Sequence, residues 1–228
     1  MLDDATDTSL NTWLRAATQK RLGRDYIYDN FESARTALIV VDMQNFFMKQ
    51  GFLAACPLAI DTVPAVNQLA QNLRQKGGVV VWIQTTAEPE ATKDWGVYQA
   101  LFTPENWQRR NVELAESHEG YALWSDLDTQ DGDVYIKKTR FSAFIHGSSD
   151  LDGKLKARNI DTLLIAGVAT DICCESTARD GMMLNYRTIM VADALAAKTI
   201  ENHKNALKAV FGQFADVQNG DEISARLS

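Results

Sequence analysis

Residues Thr162–Gly181 read TLLIAGVATDICCESTARDG. Leu163, Leu164, Ile165 and Ala166 form an apolar run of the length of a buried strand. Gly167 supplies a turn, and Thr170 and Asp171 are residues of the kind that start helices. Cys173 and Cys174 come next, followed by Thr177 and Arg179 at helical spacing. A strand that turns tightly into a helix with a cysteine in its first turn is a candidate nucleophile site. Backbone N–H groups at a helix start lack intrahelical partners, and the dipole there favours negative charge. Both effects lower a thiol's pKa and offer donors to an oxyanion. The competing reading is that both cysteines are inert core residues, since free cysteine is among the most buried residue types.

Outward from this stretch, strand and helix signals alternate. Ala37 to Val41 (ALIVV) is too apolar for a half-exposed strand and ends at Asp42. Val79 to Gln84 (VVVWIQ) and Val134 to Lys137 (VYIK) read as the second and third strands. Thr188 to Ala192, ending at Asp193, reads as the fifth, and Ala215 to Gln218 as a sixth. Helices are expected from Asp61 to about Lys76, over Leu151–Arg158, from about Glu201 to Phe211, and near Glu222–Leu227. The pattern predicts a three-layer α/β/α fold, a doubly wound parallel sheet of about six strands with helices on both faces.

Two segments stand outside the alternation. Residues 1–35 read as an N-terminal helical extension to a domain of residues 36–228. Ser9 is placed to cap a helix from Leu10 to about Arg21, with Leu10, Trp13, Leu14 and Ala17 in one apolar stripe. That stripe needs the domain surface or another subunit to cover it. Thr85 to Glu119 is a long polar excursion carrying Trp95, Tyr98 and Trp107. So long a connection is usually a lid or binding loop, although its Trp and Arg residues fit interface contacts equally well.

Composition narrows the function classes. A chain of 228 residues suits one α/β domain. Its 30 acidic against 23 basic residues, a formal charge of −7, argue against a nucleic-acid footprint. No apolar run approaches the ~20 residues of a membrane span. The opening MLDDATDTSLNTW is acidic and polar, unlike a secretory signal. Three cysteines, Cys56, Cys173 and Cys174, with no CxxC, point to a reducing compartment, so the expectation is cytoplasmic.

Asp42, Lys138 and Cys173 share an address, because each follows a parallel strand at its carboxyl end, where open α/β sheets bind ligands. Lys138 starts two strands out, roughly 10 Å by strand spacing, so its stem must lean inward. On these residues the chain resembles the isochorismatase-like cysteine hydrolase superfamily. ALIVVDMQNFF resembles the family's first-strand motif, KTRFSAF its lysine motif and GVATDICCESTARDG its nucleophile motif. The resemblance covers roughly residues 36 to 218 and implies a triad of Asp42, Lys138 and Cys173, with Cys174 a small apolar neighbour. It also implies a cis peptide between Val168 and Ala169 and an oxyanion hole made by the backbone N–H groups of Ala169 and Cys173. Relatives are usually homo-oligomers, which implies a dimer or tetramer here.

Within that superfamily the motifs are similar to those of ureidoacrylate, N-carbamoyl and maleamate amidohydrolases. The implied activity is metal-independent hydrolysis of a C–N bond in a small linear amide or ureido acid through a thioester, releasing ammonia or a carbamoyl-derived product. Nicotinamidases carry an Asp and histidines after the second strand, whereas this chain reads Gln84-Thr85-Thr86-Ala87-Glu88 there. His118, His146 and His203 are widely spaced, so neither metal nor other cofactor is expected. Phe47, Trp82, Gln84, Phe141 and Phe144 are the candidate substrate-binding residues, the rings as walls and Gln84 as a polar contact. Arg179 reads as a structural ion pair. The alternatives are an isochorismatase-type vinyl-ether hydrolase, which needs the acid but not the thiol, and a non-catalytic oligomeric binding module.

Overall fold

The computed structural model describes residues 8–228. A helix, α1 (Thr8–Leu22), leads to β1 (Thr36–Val41), a single helical turn α2 (Asn45–Met48) and α3 (Val63–Gln75). Next comes β2 (Val79–Thr85), then the excursion, which carries α4 (Pro89–Thr92), α5 (Gly96–Gln99) and α6 (Pro104–Glu113). The second half runs β3 (Val134–Lys138), α7 (Leu151–Lys156), β4 (Thr162–Val168), α8 (Glu175–Met183), β5 (Arg187–Ala196), α9 (Ile200–Val210), β6 (Asp216–Gln218) and α10 (Gly220–Ser224).

The six strands form one sheet in the order β3-β2-β1-β4-β5-β6. Every pairing is parallel. The chain therefore enters at mid-sheet and winds outward in both directions, leaving a switch point between β1 and β4. Strand alternation sorts the core into two halves. Ala37, Ile39 and Val41 point with Val81, Ile83, Leu163 and Ile165 toward the face covered by α1, α7, α8 and α9. Leu38, Val40, Val80, Trp82, Leu164 and Ala166 point the other way, onto α3 and α10. Both faces are closed, which is why β1 is buried at all six positions.

Two sequence expectations shift, the place of Ser9 and the end of β5, while the apolar stripe of α1 finds its cover on this domain. Ser9 lies inside α1 rather than ahead of it. The helix is part of the main core, with Leu10 and Leu14 buried in it, while Trp13 lies half-exposed against the Phe211 ring at 5.5 Å. Arg15 further ties it down by donating to the Val217 carbonyl oxygen at 2.8 Å. β5 runs past Asp193 to Ala196, because Asp193 accepts the Gly220 N–H at 2.8 Å and anchors the start of α10. All three cysteines are buried and unbridged. Among the described residues no helix is long and apolar enough to cross a membrane.

Candidate active site

Three strand ends converge at the carboxyl edge of the sheet. β1 hands the chain to Asp42, which sits at φ 54°, a left-handed conformation that Asp tolerates better than most residues. Its N–H stays tied to the neighbouring strand through the Ile83 carbonyl at 2.9 Å. On the next strand but one, Lys138 pairs in register with Thr85 of β2. The lysine stem leans across Thr85, as the two-strand gap requires. Lys138 Nζ lies 2.8 Å from Asp42 Oδ2, and both side chains are closed to solvent. It also donates to Thr85 Oγ1 at 2.6 Å and to the Arg140 carbonyl at 3.1 Å. Thr85 donates its own hydroxyl hydrogen bond to Asp42 Oδ1 at 2.9 Å, so one threonine buttresses both charges. Gln44, fully buried, clamps the Thr85 backbone from both sides, accepting its N–H at 2.7 Å and donating to its carbonyl at 3.1 Å.

The third group comes from the strand-to-helix turn. Gly167 has φ +106°, and a Cβ there would collide with the Val41 backbone, so only glycine lets β4 pass β1 so closely. The Val168–Ala169 peptide is cis, as the resemblance implied. Thr170–Cys174 then forms one π-helical turn that runs directly into α8. The turn is fastened from outside. Thr170 Oγ1 meets His203 Nδ1 at 2.9 Å, and Asp171 accepts from Asn202 at 3.0 Å, both partners lying on α9. Thr177 on α8 accepts the Ala143 N–H at 3.2 Å. Cys173 Sγ ends 3.6 Å from Lys138 Nζ.

Charge in this dry cluster is finely divided. Burial alone pulls the Lys138 ammonium down, but the Asp42 carboxylate and the Cys173 sulfur beside it raise it above the ordinary lysine value. Burial pushes the Cys173 thiol up, with Asp42 adding to the push and Lys138 opposing it. The depressed thiol pKa expected from a helix start is therefore corrected, because desolvation outweighs the pull of Lys138. The Lys138–Asp42 ion pair thus faces a thiol held toward its neutral form. Cys174 is shifted upward by burial too, and its Sγ turns to the Ala166 carbonyl at 3.8 Å, away from Lys138.

A cavity of about 460 Å³ opens onto Cys173 and Lys138. Phe47 and Phe141 line it, as expected from sequence. Trp82, Gln84 and Phe144 do not. Trp82 lies on the opposite face of the sheet and donates its indole N–H to Asp133 at 2.7 Å. Gln84 points the same way as Trp82 and donates to the Tyr121 carbonyl at 2.9 Å. Phe144 stacks on Tyr186 with centroids 5.6 Å apart, beneath α8. The residue of β2 that reaches the site is Thr85, one position further on. Arg179 pairs with Glu175 at 2.6 Å, as read from sequence. Of the histidines, His146 is exposed on its loop, and His118 accepts the Gly120 N–H at 3.0 Å.

The excursion from Thr85 to Glu119 is the roof of the cavity. Trp95 stacks on Tyr98 at 4.1 Å, and both rings meet Phe141 at about 5 Å, edge to face. Phe102 and Arg110 complete the roof from α5–α6. Sequence reasoning marked the segment without picking out Arg110 or Phe102, because its helices are too short for periodicity to select an inward face.

This constellation, on this sheet, defines a class. A profile of the isochorismatase domain matches residues 36–222. The chain belongs to that family, and it is a hydrolase of the amidohydrolase kind, acting on amide carbon–nitrogen bonds. It is 36% identical over 177 residues to the ureidoacrylate amidohydrolase RutB of Methylorubrum extorquens, covering 72% of this chain and 71% of that one. Among solved structures it is similar to a cysteine hydrolase from Pseudomonas syringae pv. phaseolicola, with TM-score 0.78 and 25% identity over 90% of this chain and 98% of the other. It is also similar to N-carbamoylsarcosine amidase from Thermoplasma acidophilum, with TM-score 0.64 and 30% identity over 82% and 97% of the two chains.

Proposed function

We propose that this protein is a metal-independent cysteine amidohydrolase of a small linear amide or ureido acid, with Asp42, Lys138 and Cys173 as its catalytic residues. The observation that carries this reading is Lys138 Nζ held 2.8 Å from Asp42 and 3.6 Å from Cys173 Sγ at the floor of a ring-walled cavity. Asp42 takes the proton from Cys173 as the sulfur attacks the amide carbonyl carbon. The carbonyl π electrons move onto oxygen, and the N–H groups of Ala169 and Cys173 hold that oxyanion. Asp42 then returns the proton to the departing nitrogen as the C–N bond breaks, leaving a thioester. Water, deprotonated by the same carboxylate, attacks the thioester and expels the thiolate, which recovers its proton. Lys138 pairs with the Asp42 carboxylate at the start and balances negative charge on sulfur during the attack. A 460 Å³ cavity suits a substrate of metabolite size.

The test is ammonia release from a panel of small amides and ureido acids, with Cys173→Ala alongside wild type. Release by wild type alone supports the reading, and equal release by both removes Cys173 as nucleophile. A vinyl-ether hydrolase would retain much of its activity in Cys173→Ala. A binding module would release ammonia from nothing, and its Cys173 would resist alkylation under mild conditions.

A further inference from the structure

Arg110 is 3% exposed, yet it projects from the roof helix α6 into the same cavity as Cys173. Burying a guanidinium costs several kcal/mol unless a counter-charge meets it. Arg74, the half-hidden arginine on α3, illustrates the usual solution with Asp128 at 2.8 Å and Asp133 at 2.7 Å. Arg110 has no such solution. It donates to the neutral Asn111 Oδ1 at 3.0 Å beside the Tyr98 ring, and among the described residues it forms no ion pair with a carboxylate. Two rings hold it in place, Tyr98 at 5.2 Å and Trp107 at 5.1 Å from the guanidinium carbon. The side chain is thus rigidly positioned and desolvated, with donors left over.

Of the other cations lining the cavity, Lys198 is exposed to solvent, and the remaining two are already engaged. Lys138 is committed to Asp42. Arg140 lies over Trp95 at 4.9 Å and donates to the Thr139 carbonyl at 3.0 Å. A planar fork in an apolar, ring-walled chamber is matched by one planar anion, a carboxylate taken bidentately. We propose that Arg110 is the specificity residue for the substrate's carboxylate, so that the enzyme takes acids bearing an amide or ureido group at the far end and discriminates against their uncharged analogues. This deepens the amidohydrolase reading and rests on it for the scissile group. One end of the substrate is placed at Cys173 and the other beneath α6.

The experiment measures binding without turnover. Cys173→Ala protein is titrated calorimetrically with 3-ureidopropionate and maleamate, and with the uncharged propylurea and butyramide. The acids are expected to bind about a hundredfold more tightly than the uncharged pair. Adding Arg110→Met should remove that preference, and adding Arg110→Lys should restore part of it. The affinity for propylurea and butyramide reports whether the cavity remains intact in each variant. Equal binding of acids and uncharged analogues, a preference that survives Arg110→Met, or no binding by either acid would each overturn the proposal. Ammonia release by wild type is scored separately. Carboxylate preference through Arg110 without ammonia release defeats the amidohydrolase reading and spares the anchor; ammonia release with no dependence on Arg110 does the reverse.

Discussion

Lys138 Nζ and Asp42 Oδ2 stand 2.8 Å apart with neither side chain reaching solvent, the most deeply enclosed ion pair in the described structure. Such a pair is costly to break from one side, because the survivor is left as an unpaired buried charge. Lys138→Met is expected to destabilise the fold by roughly 3–5 kcal/mol and to abolish amide hydrolysis. The double variant Asp42→Leu/Lys138→Met should regain most of that stability and none of the activity. Urea denaturation of the two singles and the double closes the cycle. Additive losses would show that the two groups do not stabilise each other.

Thr85 carries both members of that pair on one hydroxyl. Thr85→Val keeps the shape and removes two hydrogen bonds, which should lower kcat by about ten- to a hundredfold, with KM little changed. Thr85→Ser should restore most of the rate. A loss confined to KM would place the hydroxyl in substrate binding instead.

Because burial and Asp42 hold the Cys173 thiol above its ordinary pKa, its thiolate fraction keeps growing well past neutral pH. Alkylation by iodoacetamide, followed by peptide mass spectrometry, should therefore accelerate by about tenfold per pH unit through pH 9 without levelling. An early plateau near pH 6 or 7 would mean a preformed thiolate. Cys174→Ala should leave ammonia release close to wild type, since that sulfur faces the Ala166 carbonyl.

His203 predicts an acid weakness. Burial, with Lys204 adding to it, lowers its pKa from 6.5 to about 4 despite the opposing pull of Asp171. The folded state therefore holds a neutral ring where the unfolded chain binds a proton. The contribution is complete above about pH 6.5 and is lost progressively as the pH falls to about 4, up to about 3 kcal/mol. His203→Gln keeps a polar partner for Thr170 and removes the titration. Its stability, followed by denaturant titration, should decline less steeply than wild type across that window. Parallel curves would assign the acid sensitivity to other groups.

The sheet and the convergence of Asp42, Lys138 and Cys173 were legible because their signals are local and redundant. ALIVV and LLIA can only be buried strands, and each ends at a chemically loaded residue. The Gly167 turn is similarly forced, since any side chain there meets β1. The pocket walls were legible only in part. Trp82 and Gln84 were read into the site and Thr85 was not, although a strand presents alternate residues to opposite faces. The register that pairs Thr85 with Lys138, and Gln84 with the exposed Lys137, settles which parity looks into the site, and a single sequence carries no register. Phe141 and Phe144 pose the same difficulty in a loop, where no period exists to separate them. Arg110 was hidden for another reason. Trp107 flanks it one turn back on α6, but Tyr98 comes beside it only when α5 folds against α6 over the cavity.

That roof comes from one uninterrupted insertion between β2 and β3, whereas Asp42, Lys138 and Cys173 are fixed by the strands beneath it. The roof of the cavity and the cluster at its floor are thus written in separable passages of the chain. Replacing residues 86–118 with another insertion of similar span would exchange one diet for another while the hydrolytic machinery is inherited intact.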